Sequence, residues 1–253
     1  MEIGIQLYSL RDHLTGGEVS KKTLKTVADI GYKNVELAGF CGFEADEFKT
    51  ILSDLGLKVV SAHIGYDDVK PENINETIEK YKYFDCPNLG IGWADFSNFK
   101  LPLFTEFAAN LNSATEVLEK NNMKLHYHNH AHEFEKVETG EIGLQKLVKA
   151  VPKINIELDT YWIQAGAASP RFVIQSAKGH ISLLHCKDMA IIDAQQRMTP
   201  IGTGNLNFMD ILKAAKEAGV EYLIAEQDDF YGADQIAAMT TSYNNLSLYL
   251  SHV

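Results

Sequence analysis

Short apolar runs alternate with longer amphipathic stretches along the chain. At three junctions an amphipathic stretch ends at a glycine and a short apolar run follows, the glycines being Gly31, Gly56 and Gly219. A fourth junction has the pair Asn121-Asn122 in place of the glycine. Glycine or asparagine just beyond a helix adopts the left-handed conformation that ends it. Strands that repeatedly follow helices in this way predict parallel βαβ units.

The apolar runs predict eight strands, separated by stretches with helical periodicity. Their positions are near residues 2–8, 33–38, 58–63, 88–92, 124–129, 154–159, 181–186 and 222–227. No linker, low-complexity segment or charge block divides the chain, and α/β barrels commonly have about 250 residues. The pattern therefore predicts an α/β fold, a single (β/α)8 TIM barrel in which residues 1–253 form one catalytic domain.

The longest stretch without a regular pattern, residues 188–206, follows the seventh predicted strand and contains Pro200, Gly202 and Gly204. In a parallel barrel the loops after the strands form the C-terminal face, where active sites lie. We therefore expect an irregular loop here that borders the site. The pair Asn207 and Asp210 predicts the N-cap of the next helix.

The composition narrows the set of partners. Asp and Glu number 34 against 23 Lys and Arg, a formal charge of −11, and no local basic cluster offsets it. Because such a field repels phosphate backbones, we expect no nucleic-acid partner. No apolar run approaches the roughly 20 residues of a membrane span, so we expect no membrane partner. Three widely spaced cysteines and an N-terminal sequence without signal-peptide features predict a cytoplasmic protein.

Histidine, lysine and carboxylate residues lie at the ends of the last four predicted strands. They are His126, His128, His130, His132, Glu157, Asp159, His185, Lys187 and Glu226. Neighbouring strands lie about 4.8 Å apart, so one side chain from each of the four can converge on one ion. Mixed imidazole and carboxylate ligands suit Mn²⁺, Zn²⁺, Co²⁺ or Fe²⁺. Taken singly, each residue could instead be a hydrogen-bonded core histidine, a helix N-cap or half of an ion pair.

Five short motifs are distributed from the first strand to the eighth. They are Gly4-Ile-Gln6-Leu-Tyr-Ser, Tyr127-His-Asn-His130, Leu158-Asp-Thr-Tyr-Trp162, His185-Cys-Lys-Asp188-Met and Ala225-Glu-Gln-Asp-Asp229. Together they resemble the sugar phosphate isomerase/epimerase family of the xylose isomerase-like TIM barrels. The resemblance implies one divalent metal ion held by His128, Asp159, His185 and Glu226. Mn²⁺ is the first choice for this ion, with Zn²⁺, Co²⁺, Fe²⁺ or Mg²⁺ as alternatives.

The resemblance also implies a reaction, isomerisation or epimerisation of a sugar. Glu226 or His128 would remove the proton next to a carbonyl, and the metal with Lys187 would stabilise the enediolate. Elimination from the same intermediate is the alternative, which would make the protein a lyase or dehydratase of a keto-sugar or keto-inositol. His128 stands where ketose 3-epimerases have glutamate, and Trp162 stands where many relatives have histidine, so both reactions stay open.

A small sugar or polyol is the expected substrate. The residues predicted to bind it are Glu36, His63, Trp93, His130 and Glu157. The alternatives are a buried neutral His63 bonded to backbone, loop packing of Trp93, and an ion pair of Lys187 with Asp188 or Glu157. No glycine-rich P-loop is present, which disfavours a phosphorylated substrate. A non-catalytic sugar or metal binder, and a homodimer, also stay open.

Overall fold

Eight parallel strands close into a barrel in this computed structural model, which describes residues 1–253. The first seven are β1 (Glu2–Gln6), β2 (Asn34–Leu37), β3 (Lys58–Gly65), β4 (Asn88–Trp93), β5 (Lys124–His128), β6 (Asn155–Asp159) and β7 (Leu183–Cys186). A hairpin, β8 (Asp188–Ile192) and β9 (Gln195–Thr199), lies outside the barrel, and β10 (Tyr222–Ala225) closes it between β7 and β1. The predicted TIM barrel is confirmed.

Nine α-helices lie between and after the strands. They are α1 (Gly17–Ile30), α2 (Ala45–Asp54), α3 (Ile74–Lys82), α4 (Leu103–Lys120), α5 (Gly143–Ala150), α6 (Thr160–Ala165), α7 (Pro170–Ser176), α8 (Phe208–Ala218) and α9 (Gln235–Leu250). The predicted helix ends are confirmed, since φ is 123° at Gly31, 65° at Gly56, 91° at Gly219 and 58° at Asn122. None of these helices has the length and apolar character that crossing a membrane requires.

Alternation along the strands separates a hydrophobic layer from a polar barrel axis. Successive residues of a strand point to opposite faces. Leu125 and Tyr127 of β5 belong to the hydrophobic core, and so do Ile156 and Leu158 of β6. Their neighbours along the strand are polar but equally buried: His126, His128, Glu157 and Asp159. The sequence therefore places a buried polar set at the C-terminal half of the barrel interior, where it needs partners.

The prediction of an irregular loop after β7 is wrong for the first half of that stretch, because β8 and β9 form an antiparallel hairpin there. The hairpin turn has Asp193 and Ala194 at φ of 53° and 60°. Two positive φ values are typical of a type I′ turn, which usually carries Asn-Gly. Because neither a glycine nor a period-two pattern marks this hairpin, the sequence gives no strand signal. Sδ of Met198 in β9 lies 3.3 Å from the backbone nitrogen of Asp228. Because Asp228 lines the cavity of the candidate site, the hairpin borders that site.

The second half of this stretch is held by the carboxylate of Asp188. One oxygen accepts the N–H groups of Gly202 and Gly204 at 2.9 and 3.0 Å. The other accepts those of Met189 and Leu206 at 2.8 and 3.2 Å. The following helix α8 begins as predicted, because the side chain of its N-cap, Asn207, accepts the N–H of Asp210. Asp188 thus connects the hairpin to the loop that leads into α8.

Candidate active site

The four residues expected from the resemblance to hold a metal converge at the C-terminal face of the barrel. His128, Asp159 and His185 lie at the ends of β5, β6 and β7, and Glu226 directly follows β10. One potential ligand atom from each lies within 4.8 Å of the other three. Nδ1 of His185 is 2.7 Å from Oε2 of Glu226, and Nε2 of His128 is 3.9 Å from Oδ2 of Asp159. All four side chains are buried. We call this set the rim cluster.

The donor chemistry of the rim cluster fits a divalent transition metal. Two imidazoles and two carboxylates form the mixed nitrogen and oxygen set that Mn²⁺, Fe²⁺, Co²⁺ and Zn²⁺ accept. Oδ2 of Asp159 is buried and accepts no hydrogen bond, although Nζ of Lys187 lies 3.0 Å away. Buried polar atoms are normally paired. A bound cation would complete the pairing of this oxygen, which otherwise has only the ammonium of Lys187 beside it.

Two further glutamates lie below the rim cluster, on the barrel axis, and both are fully buried. Nε2 of His185 is 2.8 Å from Oε1 of Glu36, and Nε2 of His63 is 2.7 Å from Oε2 of Glu157. His63, His128, Glu157 and His185 form a second group whose potential ligand atoms lie within 4.8 Å of one another. We call Glu36, His63 and Glu157 the floor cluster.

Two glycines of β4 leave the space that the floor cluster fills. A Cβ atom on Gly92 would lie 2.7 Å from Nδ1 of His63, and one on Gly90 would lie 3.0 Å from Oε2 of Glu157. Both distances are shorter than an ordinary van der Waals contact of a carbon atom, so a larger residue at either position would crowd the floor cluster. Since β4 pairs with β3 at His63 and Gly90, the strand register itself brings the histidine over the glycines. The short β4 run is thus the part of the barrel wall that makes room for a polar side chain.

Lys187, which directly follows β7, extends into the rim and contacts three carboxylates. Its Nζ lies 2.7 Å from Asp228, 2.9 Å from Glu226 and 3.0 Å from Asp159. An ion pair with Asp188 or Glu157 was the expected alternative, and both partners are wrong, because Asp188 is engaged by backbone amides instead. Burial opposes the charge of Lys187, but Asp159, Glu226 and Asp228 outweigh it and raise the pKa of the lysine well above its ordinary value. The side chain is a permanent cation.

The histidines of the site differ in charge. Burial, with His185 as a like-charged neighbour, lowers the pKa of His128 well below its ordinary value. Burial also lowers the pKa of His130 to about 4. For His185 burial acts in the same direction, but Glu157, Glu36 and Glu226 raise its pKa well above the ordinary value. His128 is therefore neutral at pH 7 and has a lone pair for a metal or a proton.

An open cavity of about 640 Å³ is lined by two members of the rim cluster, His128 and Glu226. Of the residues predicted to bind substrate, His63, Trp93 and His130 line it. Glu36 and Glu157 do not line it, and a substrate role for them stays a prediction. The indole of Trp93 is 58% exposed and meets the ring edges of His130 and His132 at centroid distances of 4.7 and 4.8 Å. Trp93 therefore packs against two histidine rings and also lines the cavity.

Several residues of the site were not predicted, and three of them have polar side chains close to the proposed ligands or the cavity. Asp228 lines the cavity beside Lys187, and its position two residues beyond Glu226 was a signal, because residues at this spacing share a face. Tyr8 also lines the cavity but carries no charge pattern that a sequence could reveal. Gln6, at the end of β1, donates from Nε2 to Oε1 of Glu36. A buried glutamine in a strand is informative only once its partner strand is known.

The closed parallel barrel and the polar C-terminal face define the class of protein, a TIM barrel with its candidate site where this fold places catalytic residues. Residues 24–241 match the sequence profile of the xylose isomerase-like TIM barrel family. The chain belongs to this family. No curated protein sequence matches it significantly.

Solved structures share the fold at low sequence identity. A sugar phosphate isomerase/epimerase from Parabacteroides distasonis is 24% identical, with 97% of each chain covered and a TM-score of 0.81. A probable 3-DHS dehydratase involved in petrobactin synthesis from Bacillus anthracis is 15% identical over 98% of this chain and 99% of its own, with a TM-score of 0.75. An L-ribulose 3-epimerase is 17% identical over 100% and 95%, with a TM-score of 0.73. At these sequence identities the comparison shows a shared fold and does not assign an activity.

Proposed function

We propose that this protein is an enzyme, an isomerase or epimerase of a small sugar or polyol that requires one divalent metal ion. The observation that carries the proposal is the convergence of His128, Asp159, His185 and Glu226 beside an open cavity. His128 and Glu226 line that cavity. Sugar isomerases and epimerases also occur among the structures with this fold. A purely structural role would not require so many buried charged groups to face a cavity.

His128, Asp159, His185 and Glu226 would hold the ion, with Mn²⁺ as the first choice. When bound there, the ion supplies Lewis-acid polarisation of a substrate carbonyl. The ligand set alone is compatible with Zn²⁺, Co²⁺ and Fe²⁺ as well.

The protein's own groups can move the proton. Burial acts to raise the pKa of Glu226, but Lys187 and His185 outweigh it and hold this pKa well below its ordinary value. Glu226 is therefore an ionised carboxylate that lines the cavity, and it is the proposed base. The Lys187 ammonium also lines the cavity and offers positive charge to the oxygen that becomes an enediolate oxygen. Once Glu226 has taken the proton, its carboxylic acid is the group that can return the proton to the neighbouring carbon, which completes an isomerisation.

A lyase or dehydratase acting on a keto-sugar or keto-inositol is the second candidate. The observation that favours it is the neutral imidazole of His128, because a two-carboxylate epimerase would have a second ionised base there. In this reading Glu226 still removes the proton next to the carbonyl, and the electron pair of the enediolate expels a group from the far carbon. The fold also occurs in a probable dehydratase.

Deuterium exchange distinguishes the two reactions. The Mn²⁺-loaded protein is incubated in D2O with a panel of ketoses and, separately, with 3-keto-glycosides. Deuterium in the recovered or epimerised sugar supports the isomerase, and a released aglycone with an enone product supports the lyase. Glu226→Gln is the inactive control, since it removes the base. Loaded protein that exchanges no C–H proton in either panel would leave only a binding role and overturn the proposal.

A further inference from the structure

The ring of His185 lies between two carboxylates on opposite sides. Nδ1 is 2.7 Å from Oε2 of Glu226 in the rim cluster, and Nε2 is 2.8 Å from Oε1 of Glu36 in the floor cluster. His128 is placed in a similar way, with Nε2 3.9 Å from Asp159 and Nδ1 3.6 Å from Glu157. Both histidines are thus shared by the two groups of potential ligands, and each group faces a different ring nitrogen.

A neutral imidazole has one lone-pair nitrogen and one N–H group. If Nδ1 of His185 uses its lone pair at the rim, Nε2 carries the hydrogen and donates it to the floor. An ion held by the second group, which is His63, His128, Glu157 and His185, would need the lone pair on Nε2 instead. Because His128 and His185 are both subject to this choice, the two groups cannot both hold an ion through neutral histidines. The geometry of the shared rings therefore provides for one cation.

We propose that Glu36 is the positioning residue that selects the rim for this cation, by holding the hydrogen of His185 on Nε2 and fixing the orientation of its ring. The inference rests on the proposed metal site. Glu36 is the partner rather than Glu157, because the nearest oxygen of Glu157 is 3.4 Å from Nε2, against 2.8 Å for Glu36. Carboxylates in this position orient metal-binding histidines in many proteins, and their loss typically weakens metal binding 10–100-fold.

The carboxylate of Glu36 is itself held by the sheet. Gln6 and Glu36 are register partners in the neighbouring strands β1 and β2, and Nε2 of Gln6 donates to the same Oε1 atom that faces His185. Nε2 of His63 lies 3.1 Å from this oxygen. Glu36 is fully buried and does not line the cavity. Its neighbours on the barrel wall place its oxygen opposite His185.

The test measures metal binding directly. Mn²⁺ affinity and stoichiometry are determined by calorimetry and by the EPR signal of free Mn²⁺ for the unmodified protein, Glu36→Gln and Glu36→Leu. We expect one ion per chain in the unmodified protein, a Kd raised severalfold by Glu36→Gln, and one raised roughly 10–100-fold by Glu36→Leu. Glutamine keeps a weaker acceptor oxygen, so the graded loss is specific to the hydrogen bond. Nitrogen NMR of the Zn²⁺-loaded protein should show the Nε2–H tautomer of His185.

Glu133→Gln is the matched control, since Glu133 is fully buried and bonds to Tyr127 and the backbone of His130 without contacting His185. It should leave the Mn²⁺ Kd unchanged. Unchanged affinity in both Glu36 variants, with the ion still bound at the rim, would overturn the positioning role alone. So would two ions per chain, or a higher KM at unchanged metal affinity. An unmodified protein that binds no divalent ion would overturn the proposed function together with this inference.

Discussion

Nζ of Lys187 lies 2.9 Å from Oε2 of Glu226, so a buried ammonium contacts one of the four proposed metal ligands. It is the one lysine among five carboxylates at the centre of the barrel. These are Glu36, Glu157, Asp159, Glu226 and Asp228. One ammonium does not balance five such groups, and burial raises the pKa of Glu36, Asp159 and Asp228. The excess is met by protons on the carboxylates and histidines, or by a bound cation. An uncompensated negative charge is costly inside a protein. The stability of the barrel should therefore depend on the cations at its centre.

Removal of divalent ions should destabilise the protein. A ligand that binds only the folded state at 100 times its Kd stabilises it by about 2.7 kcal/mol. For a domain of this size the corresponding shift in Tm is roughly 5–10 °C. We expect that shift on treatment with EDTA, and its recovery when Mn²⁺ is added, in a thermal unfolding experiment. Asp159→Asn should melt at the same temperature with and without Mn²⁺. Identical melting of the unmodified protein in EDTA and in Mn²⁺ would contradict a site in the rim cluster.

Lys187→Met should reduce both stability and turnover. Removal of one partner from a buried ion pair costs about 3–5 kcal/mol, since the remaining charges lose their compensation. The loss of a group that stabilises a developing oxyanion lowers kcat roughly 100-fold or more. Urea unfolding and steady-state kinetics measure the two effects.

Lys146→Met is the control for Lys187→Met. Lys146 is also buried, and its Nζ pairs with Glu138 and donates to the carbonyl of Phe99, neither of which belongs to the rim cluster. This variant should lose stability but keep kcat. Equal losses of kcat in the two variants would mean that Lys187 acts only through folding.

The barrel could be predicted because its strands are short apolar runs that follow helix ends marked by glycine or asparagine. The strand ends were less exact. The first strand was expected to reach residue 8 and the last to reach residue 227, but they end at Gln6 and Ala225. Tyr8 and Glu226 lie just beyond these strand ends and line the cavity. Their positions depend on the site rather than on strand pairing.

The rim cluster was accessible to sequence reasoning because its members end consecutive strands. The floor cluster was not, although Glu36, His63 and Glu157 were each singled out. Glu36 contacts His185, 149 residues away, and β2 and β7 are not neighbours in the barrel. Contacts across a barrel depend on its closure and on side-chain length, and one sequence shows neither. The hairpin was missed for a different reason, since its turn uses Asp193-Ala194 without glycine.

Asp188→Asn should loosen the loop between the hairpin and α8. One oxygen of Asp188 accepts two backbone N–H groups, from Gly202 and Gly204. An asparagine that turns its NH2 group to either side leaves buried donors unpaired, at a cost of about 1–3 kcal/mol. We expect lower stability in urea and faster amide hydrogen exchange at residues 201–206. Asp193→Asn, in the exposed hairpin turn, should change neither measurement, and unchanged exchange in Asp188→Asn would exclude the connecting role.

Trp93→Ala distinguishes substrate stacking from loop packing. The indole is mostly exposed and borders the cavity, and an aromatic ring in this position can cover one face of a sugar. If it does, KM should rise roughly tenfold, a loss of about 1.4 kcal/mol of binding, at unchanged kcat and unchanged free energy of unfolding. If Trp93 only packs on His130 and His132, the free energy of unfolding should fall while KM stays constant. Phe172, exposed on α7 and absent from the cavity lining, provides the control, because Phe172→Ala removes an exposed aromatic ring without touching the substrate. A rise in KM for Trp93→Ala alone would therefore assign the ring to substrate binding.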